Sequence, residues 1–391
     1  MTGGTGLLGS NLAYRFLRQG HRVHFLVRKN GSGARARLEG AIRLIDPKFQ
    51  LDAHDCQILE GDVTASGCGL GRRDVAALKG GIDEIWHSAA SVNFSYQDAE
   101  GTRRANVGGT ENVLGLASDL GLPPFHHVST AYVAGFSGGR FLETDHLQDR
   151  LFKNTYEKTK LEAEHLVHRY GGKHAIYRPS VIVGDSERGT TLTFTGYYRV
   201  LQVFNLLRLQ VMRRLRKHPE EFRASGIYLT GEERLHLPLI VPCSAAATLN
   251  LVPVDWVADT MIQLAWKGVP WGMTFHVTHP EPPSFRHIIE VPCRMMGIEG
   301  LRFEESHVMH VLRNAPELVL DGETIQAVQK NLLEWLNVYW PYFSREPVFD
   351  DTNVRQVLNS SYQPPRPVTD PFLRILTGYA LGNRFKQRGA N

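Results

Sequence analysis

The chain is 391 residues long, 42% hydrophobic and 21% charged, with a formal net charge of +4. That length suits one large α/β domain with an added lobe, and so mild a charge does not argue for nucleic acid. No apolar run reaches the roughly 18 residues of a spanning helix, and Cys56, Cys68, Cys243 and Cys293 are scattered without a CxxC pair. No metal site or disulfide framework is therefore indicated, and a reducing cytoplasm is the expected compartment.

The chain opens on Thr2-Gly3-Gly4-Thr5-Gly6-Leu7-Leu8-Gly9. Glycines three residues apart let a backbone turn tightly, approach a pyrophosphate and pack the next helix on a sheet. Residues 7–17 read as that helix, with Leu8, Leu12, Phe16 and Leu17 on one face and a stop at Gly20. A strand of ~5–6 apolar residues normally feeds such a loop, so the natural start is expected to lie upstream of Met1.

Strand-like and helix-like segments then alternate, as in a parallel sheet covered on both faces. Strands are expected at 21–27, 57–59, 84–87, 125–129 and 174–183, with Pro179 placing the last near an edge or a strand end. Helices are expected at 106–119 and 156–170. A polar, turn-rich stretch at 185–195 leads into a cationic amphipathic one at 197–223, and 249–266 returns to strand then helix, followed by a strand at 275–277. The expected organisation is a Rossmann-like, doubly wound parallel sheet at 1–190, a substrate-lobe insertion at 191–248 and a return to the sheet at 249–280. A smaller, mostly helical C-terminal substrate lobe and tail occupy 281–391, ending in a basic run that includes Arg384, Lys386 and Arg388.

NAD-selective sites carry an acid about 20 residues beyond the glycine loop, whereas arginine there accommodates a 2′-phosphate. Val27 is followed by Arg28 and Lys29, which favours NADP. Asp62, beside Val63, can accept from an adenine amino group or cap the next helix. The small residues Ser88, Ala89 and Ala90 suit a backbone running close beside a cofactor.

Tyr156 and Lys160 share a helix face at i,i+4, and of 13 tyrosines only Tyr156 has lysine at that spacing. A nearby ammonium favours the phenolate, so Lys160 is expected to lower the Tyr156 pKa from ~10 and allow proton transfer near neutral pH. A hydroxyl partner for the substrate oxygen should come from Ser129 or Thr130, with Thr130 preferred.

These motifs, with Asn106-Val107-Gly108-Gly109-Thr110, Tyr177-Arg178-Pro179-Ser180 and Val252-Pro253-Val254-Asp255, resemble an extended short-chain dehydrogenase/reductase over residues 1–280. The chain is most similar to the fatty acyl-CoA reductase and thioester reductase branch. The resemblance implies that Thr130, Tyr156 and Lys160 form the catalytic set and that Lys160 also binds the nicotinamide ribose. It implies NADP contacts from Gly3, Thr5, Gly6, Leu7, Leu8 and Gly9, and from Arg28 and Lys29 at the phosphate. Asp62 and Val63 would lie at the adenine, with Ser88, Ala89, Ala90, Asn106 and Ser129 along the cofactor and Pro179, Ser180 and Val181 at the nicotinamide.

The function expected is NADPH-dependent reduction of an acyl thioester, coenzyme A-bound or carrier-bound, or of the derived aldehyde. The alternatives are a nucleotide-sugar epimerase or dehydratase, a reductase of a sterol-like or flavonoid-like ketone, and a non-catalytic NADP-binding scaffold. The basic helix at 198–217, with Arg208, Arg213, Arg214, Arg216 and Lys217, reads first as a core-packed helix whose cations complement its dipole. Contact with an acyl carrier or with an anionic membrane are its sharper readings. Tyr197 and Tyr198 are expected to serve aromatic packing, with lining of the substrate pocket as the alternative, and Trp335, Tyr339, Trp340, Tyr342 and Phe343 to form a core cluster.

Overall fold

Residues rich in β-branched and aromatic side chains build six parallel strands into the central sheet, each with at least one buried face. The computed structural model describes residues 1–391 apart from 30–32, 53, 95–97, 147–149, 224–225, 269–270, 306–338, 343–345 and 387–391. Strand β1 (Val23–Val27) pairs with β2 (Cys56–Glu60), and β3 (Ile85–His87) pairs with β4 (Phe125–Val128). β4 pairs with β5 (His174–Pro179). Further along the chain, β6 (Val181–Val183) pairs with β7 (Leu251–Pro253), while β8 (Met273–Val277) closes the main sheet against β5. Thr2 joins the two halves, bridging in parallel to Leu26 and to His87. Its amide donates to the Trp86 carbonyl at 2.9 Å, and the Leu26 amide donates to the Met1 carbonyl at 2.9 Å. The order is β2, β1, Thr2, β3, β4, β5, β8. It reverses at Thr2, and in such sheets ligands bind beyond the carboxyl ends of the strands at the reversal.

The reading of 174–183 as one strand is corrected. Proline has no N–H to continue a ladder, so β5 ends at Pro179 and the chain resumes as β6 against a different partner.

One face of the sheet is covered by α1 (Leu7–Arg18) and α2 (Ala34–Ile45), and the other by α3 (Gly109–Asp119) and α4 (Thr155–His168). Two separate apolar clusters result, one around Leu12, Phe25, Leu38 and Phe275, the other around Val113, Leu116, Phe125 and Ile176. α3 is entered through a π-helical stretch, Arg104–Gly108, that carries Asn106. The lobe has its own core. α5 (Tyr197–Leu215) buries Val200, Phe204, Leu207 and Val211. α6 (Val254–Trp266) belongs with α1 and the sheet, whereas α7 (Phe285–Met295) packs on α5. Tyr197 and Tyr198 are buried with their hydroxyls bonded to the Ile288 carbonyl and the Gly184 amide.

The C-terminal region does not all stay in that lobe. Val348–Phe349 pairs in parallel with Arg140–Phe141, and α8 (Thr352–Leu358) packs on β8 and α6. α9 (Asp370–Gly382) then packs on α7. Trp335, Phe343, Gln387 and Arg388 lie outside the described residues. Among the described residues no helix is long and apolar enough to cross a membrane, and no group of three or more His, Cys, Asp or Glu side chains is arranged to hold a metal ion.

Between α4 and the sheet lies a polar layer. Arg178 on β5 is fully buried and donates to both oxygens of the equally buried Glu164, at 2.9 and 2.7 Å. Burial alone would raise the Glu164 carboxyl, but the Arg178 guanidinium holds it below the ordinary carboxylate range. Arg178 also donates to the Asp145 carbonyl at 3.0 Å. Removing one partner strands a charge in the core, so Arg178→Ala should destabilise the fold by about 3–5 kcal/mol, measured by the denaturant midpoint at unchanged slope.

Candidate active site

The glycine loop is shaped by close backbone contact. Gly3 has φ +74°, and a Cβ there would stand 2.6 Å from the Ser88 carbonyl carbon. A Cβ on Gly9 would meet the Gly3 oxygen at 1.9 Å. Both positions therefore demand glycine, which brings α1 hard against the strand ends. No side chain caps α1 and no acid occupies its first turn, so its N-terminal amides can serve an anion, as in dinucleotide sites. Gly3, Thr5, Gly6, Leu7, Leu8 and Gly9 thus form a cradle that fits a pyrophosphate.

A hydrogen-bonded file fixes the floor. The Ala89 amide donates to the Thr2 hydroxyl (3.2 Å), which meets His87 Nδ1 (2.8 Å). On its other side His87 Nε2 meets the Thr110 hydroxyl (3.1 Å), which donates to the Asn106 carbonyl (2.6 Å). Because Thr110 donates onward, His87 carries its proton on Nε2 and accepts from Thr2. Burial, then Lys160, push the His87 pKa down to about 3, so the ring is neutral. The Asn106 amide bonds Ser91 and the Thr159 hydroxyl, which ties the loop after β3 to α4. Its side chain is committed within the protein.

Beyond β1 an open cleft of ≈ 690 Å³ is lined by Arg28, Lys29, Arg37, Glu60, Gly61 and Asp62. Asp62 Oδ1 accepts from both the amide and the hydroxyl of Thr64 at 2.8 Å, so it orders the turn while facing the cleft. The Val63 carbonyl accepts from Asn112 (2.8 Å). Lys29 pairs with Glu60 at 3.7 Å. Arg37 was not singled out by sequence reasoning. It donates to the Arg28 carbonyl, and its buried Nε has no partner. Its signal was its place on α2, one turn past the helix start and facing the Arg28 end of β1.

Thr130, Tyr156 and Lys160 come together at the ends of β4 and β5. The Thr130 hydroxyl faces the Tyr156 side chain, donates to the Pro179 carbonyl at 3.4 Å and accepts from the Tyr132 amide at 3.3 Å. Ser129 instead faces the buried Glu164 carboxyl, and its buried hydroxyl oxygen has no hydrogen-bond partner among the described residues. Geometry therefore separates the two neighbouring hydroxyls. Pro179, Ser180 and Val181 lie beside Thr130, but the Ser180 hydroxyl is turned to Asn250 (2.6 Å) and the Ser180 and Val181 amides bond Val277 and Asn250. Only side-chain and carbonyl surface is left there for a ligand.

The expected effect of Lys160 on Tyr156 is corrected. Lys160 Nζ donates to the Val128 carbonyl (2.7 Å) and lies 3.4 Å from His127 Nε2, drawn down into the sheet and away from the phenol. Burial pushes the Tyr156 phenol above its ordinary value, with only the nearby Thr130 hydroxyl pulling it back. Burial also lowers the Lys160 ammonium to about 8.

Of the aromatic residues expected to form a core cluster, Tyr342 is buried and Tyr339 partly buried, and both also reach the site. Phe94 lies 5.5 Å from Tyr156 between ring centres, 6.0 Å from Tyr342 and 5.9 Å from Tyr339.

Glycine cradle and strand reversal together define a nucleotide-binding fold of the extended short-chain dehydrogenase/reductase type. The family model described as Male sterility protein matches residues 1–261, and the chain belongs to that family. It is 26% identical over 341 residues to a component of the linear gramicidin synthase of Brevibacillus parabrevis, covering 85% of this chain and 6% of that protein. It is 26% identical over 384 residues to aldehyde reductase lnaA of Aspergillus flavus, covering 92% of this chain and 33% of that one. The chain thus spans a third or less of these two relatives. Among solved structures, the terminal R domain from the myxalamid PKS-NRPS biosynthetic pathway superposes with a TM-score of 0.76 at 23% identity, over 99% of this chain and 90% of that one.

The buried lysine has a measurable signature. The unfolded chain holds the Lys160 proton up to the ordinary 10.5 and the folded chain releases it near 8, so between those values the unfolded state binds more protons and stability rises with pH. Lys160→Met should abolish that rise, worth up to about 3 kcal/mol, in denaturant titrations at pH 7.5 and 10.

Proposed function

We propose that the protein is an NADPH-dependent reductase of an acyl thioester, bound to coenzyme A or to a carrier, or of the aldehyde derived from it. The observation that carries this reading is the pair of neighbouring hydroxyls, Thr130 and Tyr156, which meet with the buried Lys160 at the ends of β4 and β5. Two donors meeting at one place suit a carbonyl oxygen that gains negative charge.

NADPH, when bound, supplies the hydride. Thr130 holds the carbonyl oxygen. Tyr156, whose raised pKa keeps the phenol protonated at neutral pH, gives its proton to that oxygen as charge develops. With a thioester, the hemithioacetal so formed expels the thiol and leaves the aldehyde. Lys160, at the end of β4, holds the ribose side. Arg28, Lys29 and Arg37 support selection of the 2′-phosphate, since β1 ends without the acid that would bind a free 2′-hydroxyl. The cationic end of α5, with Arg213, Arg216 and Lys217 exposed, supports contact with a phosphate-bearing acyl carrier. The nucleotide-sugar alternative is disfavoured by apolar Val27 followed by Arg28, where that branch usually keeps an acid.

NADPH oxidation followed over acyl-CoA, carrier-bound acyl, aldehyde, ketone and nucleotide-sugar substrates should show turnover with the acyl compounds. Turnover restricted to nucleotide sugars would sink the proposal. Tyr156→Phe should lower kcat by on the order of 10²–10⁴ while NADPH still binds. Arg28→Ala and Arg37→Ala should each raise the KM for NADPH about 10- to 100-fold, with little change for NADH.

A further inference from the structure

Tyr342 lies well outside the span matched by the family model, yet it is built into the start of the helix that carries Tyr156. Its hydroxyl donates to Glu157 Oε1 at 2.6 Å and accepts from Asn154 Nδ2 at 2.8 Å. Asn154 is the N-cap of α4, its Oδ1 accepting from the Glu157 amide at 3.0 Å. Glu157 Oε2 takes the Lys153 amide at 2.9 Å. The cap of α4 thus resembles a capping box in which Glu157 takes the amide just before the N-cap, with an added member, a phenol brought from 185 residues away. Glu346, four positions on, grips the next layer, accepting from the Tyr132 hydroxyl and from Thr248, both at 2.9 Å.

The ring of Tyr342 is as constrained as its hydroxyl. It stacks on Phe94 with an interplanar angle of 27°, meets Tyr132 edge-on at 5.4 Å, and has the Lys153 ammonium 4.6 Å from its centre. Phe94 in turn packs on Tyr156. A tyrosine serving only as core filling would need one partner for its hydroxyl. This one has two, and both come from residues flanking Tyr156 at the start of its helix.

We infer that Tyr342 is a positioning residue: anchored on Glu157, it holds Phe94 against Tyr156 and so sets the orientation of the reacting phenol from the C-terminal part of the chain. The inference rests on the reading of Tyr156 as the proton donor. Its physical basis is preorganisation, since a donor free to swing loses the advantage of alignment.

The test compares the full-length protein with Tyr342→Phe, Glu157→Gln, Glu157→Leu and the Glu157→Leu/Tyr342→Phe pair, using the best acyl thioester or aldehyde at saturating NADPH. Tyr342→Phe and Glu157→Leu should each lower kcat by on the order of tenfold with KM and NADPH affinity little changed. Glu157→Gln keeps an acceptor for the phenol and should stay within about threefold of wild type. The double variant should be no worse than either single one, as expected for partners in one interaction. Wild-type kcat in Tyr342→Phe, multiplying losses in the double variant, or a matching fall in NADPH affinity would each overturn the inference. Fluorine NMR of the fluorophenylalanine-labelled chain, with Phe94 assigned through Phe94→Leu, reads the same contact without turnover. The Phe94 signal should move in Tyr342→Phe and hold in Glu157→Gln, and an unmoved signal overturns the inference. A wild-type chain inactive on every acyl compound would instead count against the proposed reaction, and the NMR result would still decide whether Tyr342 holds Phe94.

Discussion

The buried ion pair between Arg178 and Glu164 is the constraint on which the rest of the site depends. Glu164 lies on the face of α4 that also carries Tyr156 and Lys160, two turns and one turn before it. Arg178 sits in β5, the strand that ends at Pro179 beside Thr130. Two fully buried charges held at 2.7 and 2.9 Å lock that helix face onto that strand. An apolar interface of equal area would tolerate small slides, whereas a bidentate pair permits one register. The alignment of Tyr156 with Thr130 is a consequence of it.

Around this pair the layer under α4 is polar to an unusual degree. Lys160, His127, Glu164, Arg178 and His276 are all buried there, and burial lowers the pKa of Lys160, His127 and His276. His276 is pushed down to about 3, and Lys160 down to about 8. The firmly held anion in this layer, Glu164, faces the guanidinium that matches its geometry. The helix most involved in the site is thus also the most expensive to mispack, which is how a fold enforces an arrangement that apolar packing leaves loose.

The cofactor edge obeys a different rule. Its residues are chosen for what they lack: side chains at Gly3 and Gly9, and an acid at the end of β1. The sequence shows such omissions directly, and the Gly3–Gly9 loop, Arg28 and the Tyr156–Lys160 spacing were readable in it. Arg37 was not, because its relation to Arg28 arises from the packing of α2 beside the end of β1. Tyr342 was readable only as one aromatic among several. The partners of its hydroxyl lie far away in the chain, and no local pattern encodes a contact of that separation.

Local spacing by itself determined the alternation of strand and helix, the glycine loop, and the sharing of one helix face by Tyr156 and Lys160. These depend on backbone periodicity and on the conformational freedom of glycine, both properties of short segments. Only the tertiary structure decided where Lys160 points, which of Ser129 and Thr130 meets Tyr156, and that the C-terminal chain returns to seal the helix start. The reason is burial: the Val128 carbonyl, the Glu164 carboxyl and the Tyr342 phenol act on the site through a desolvated interior that exists only once the chain has folded.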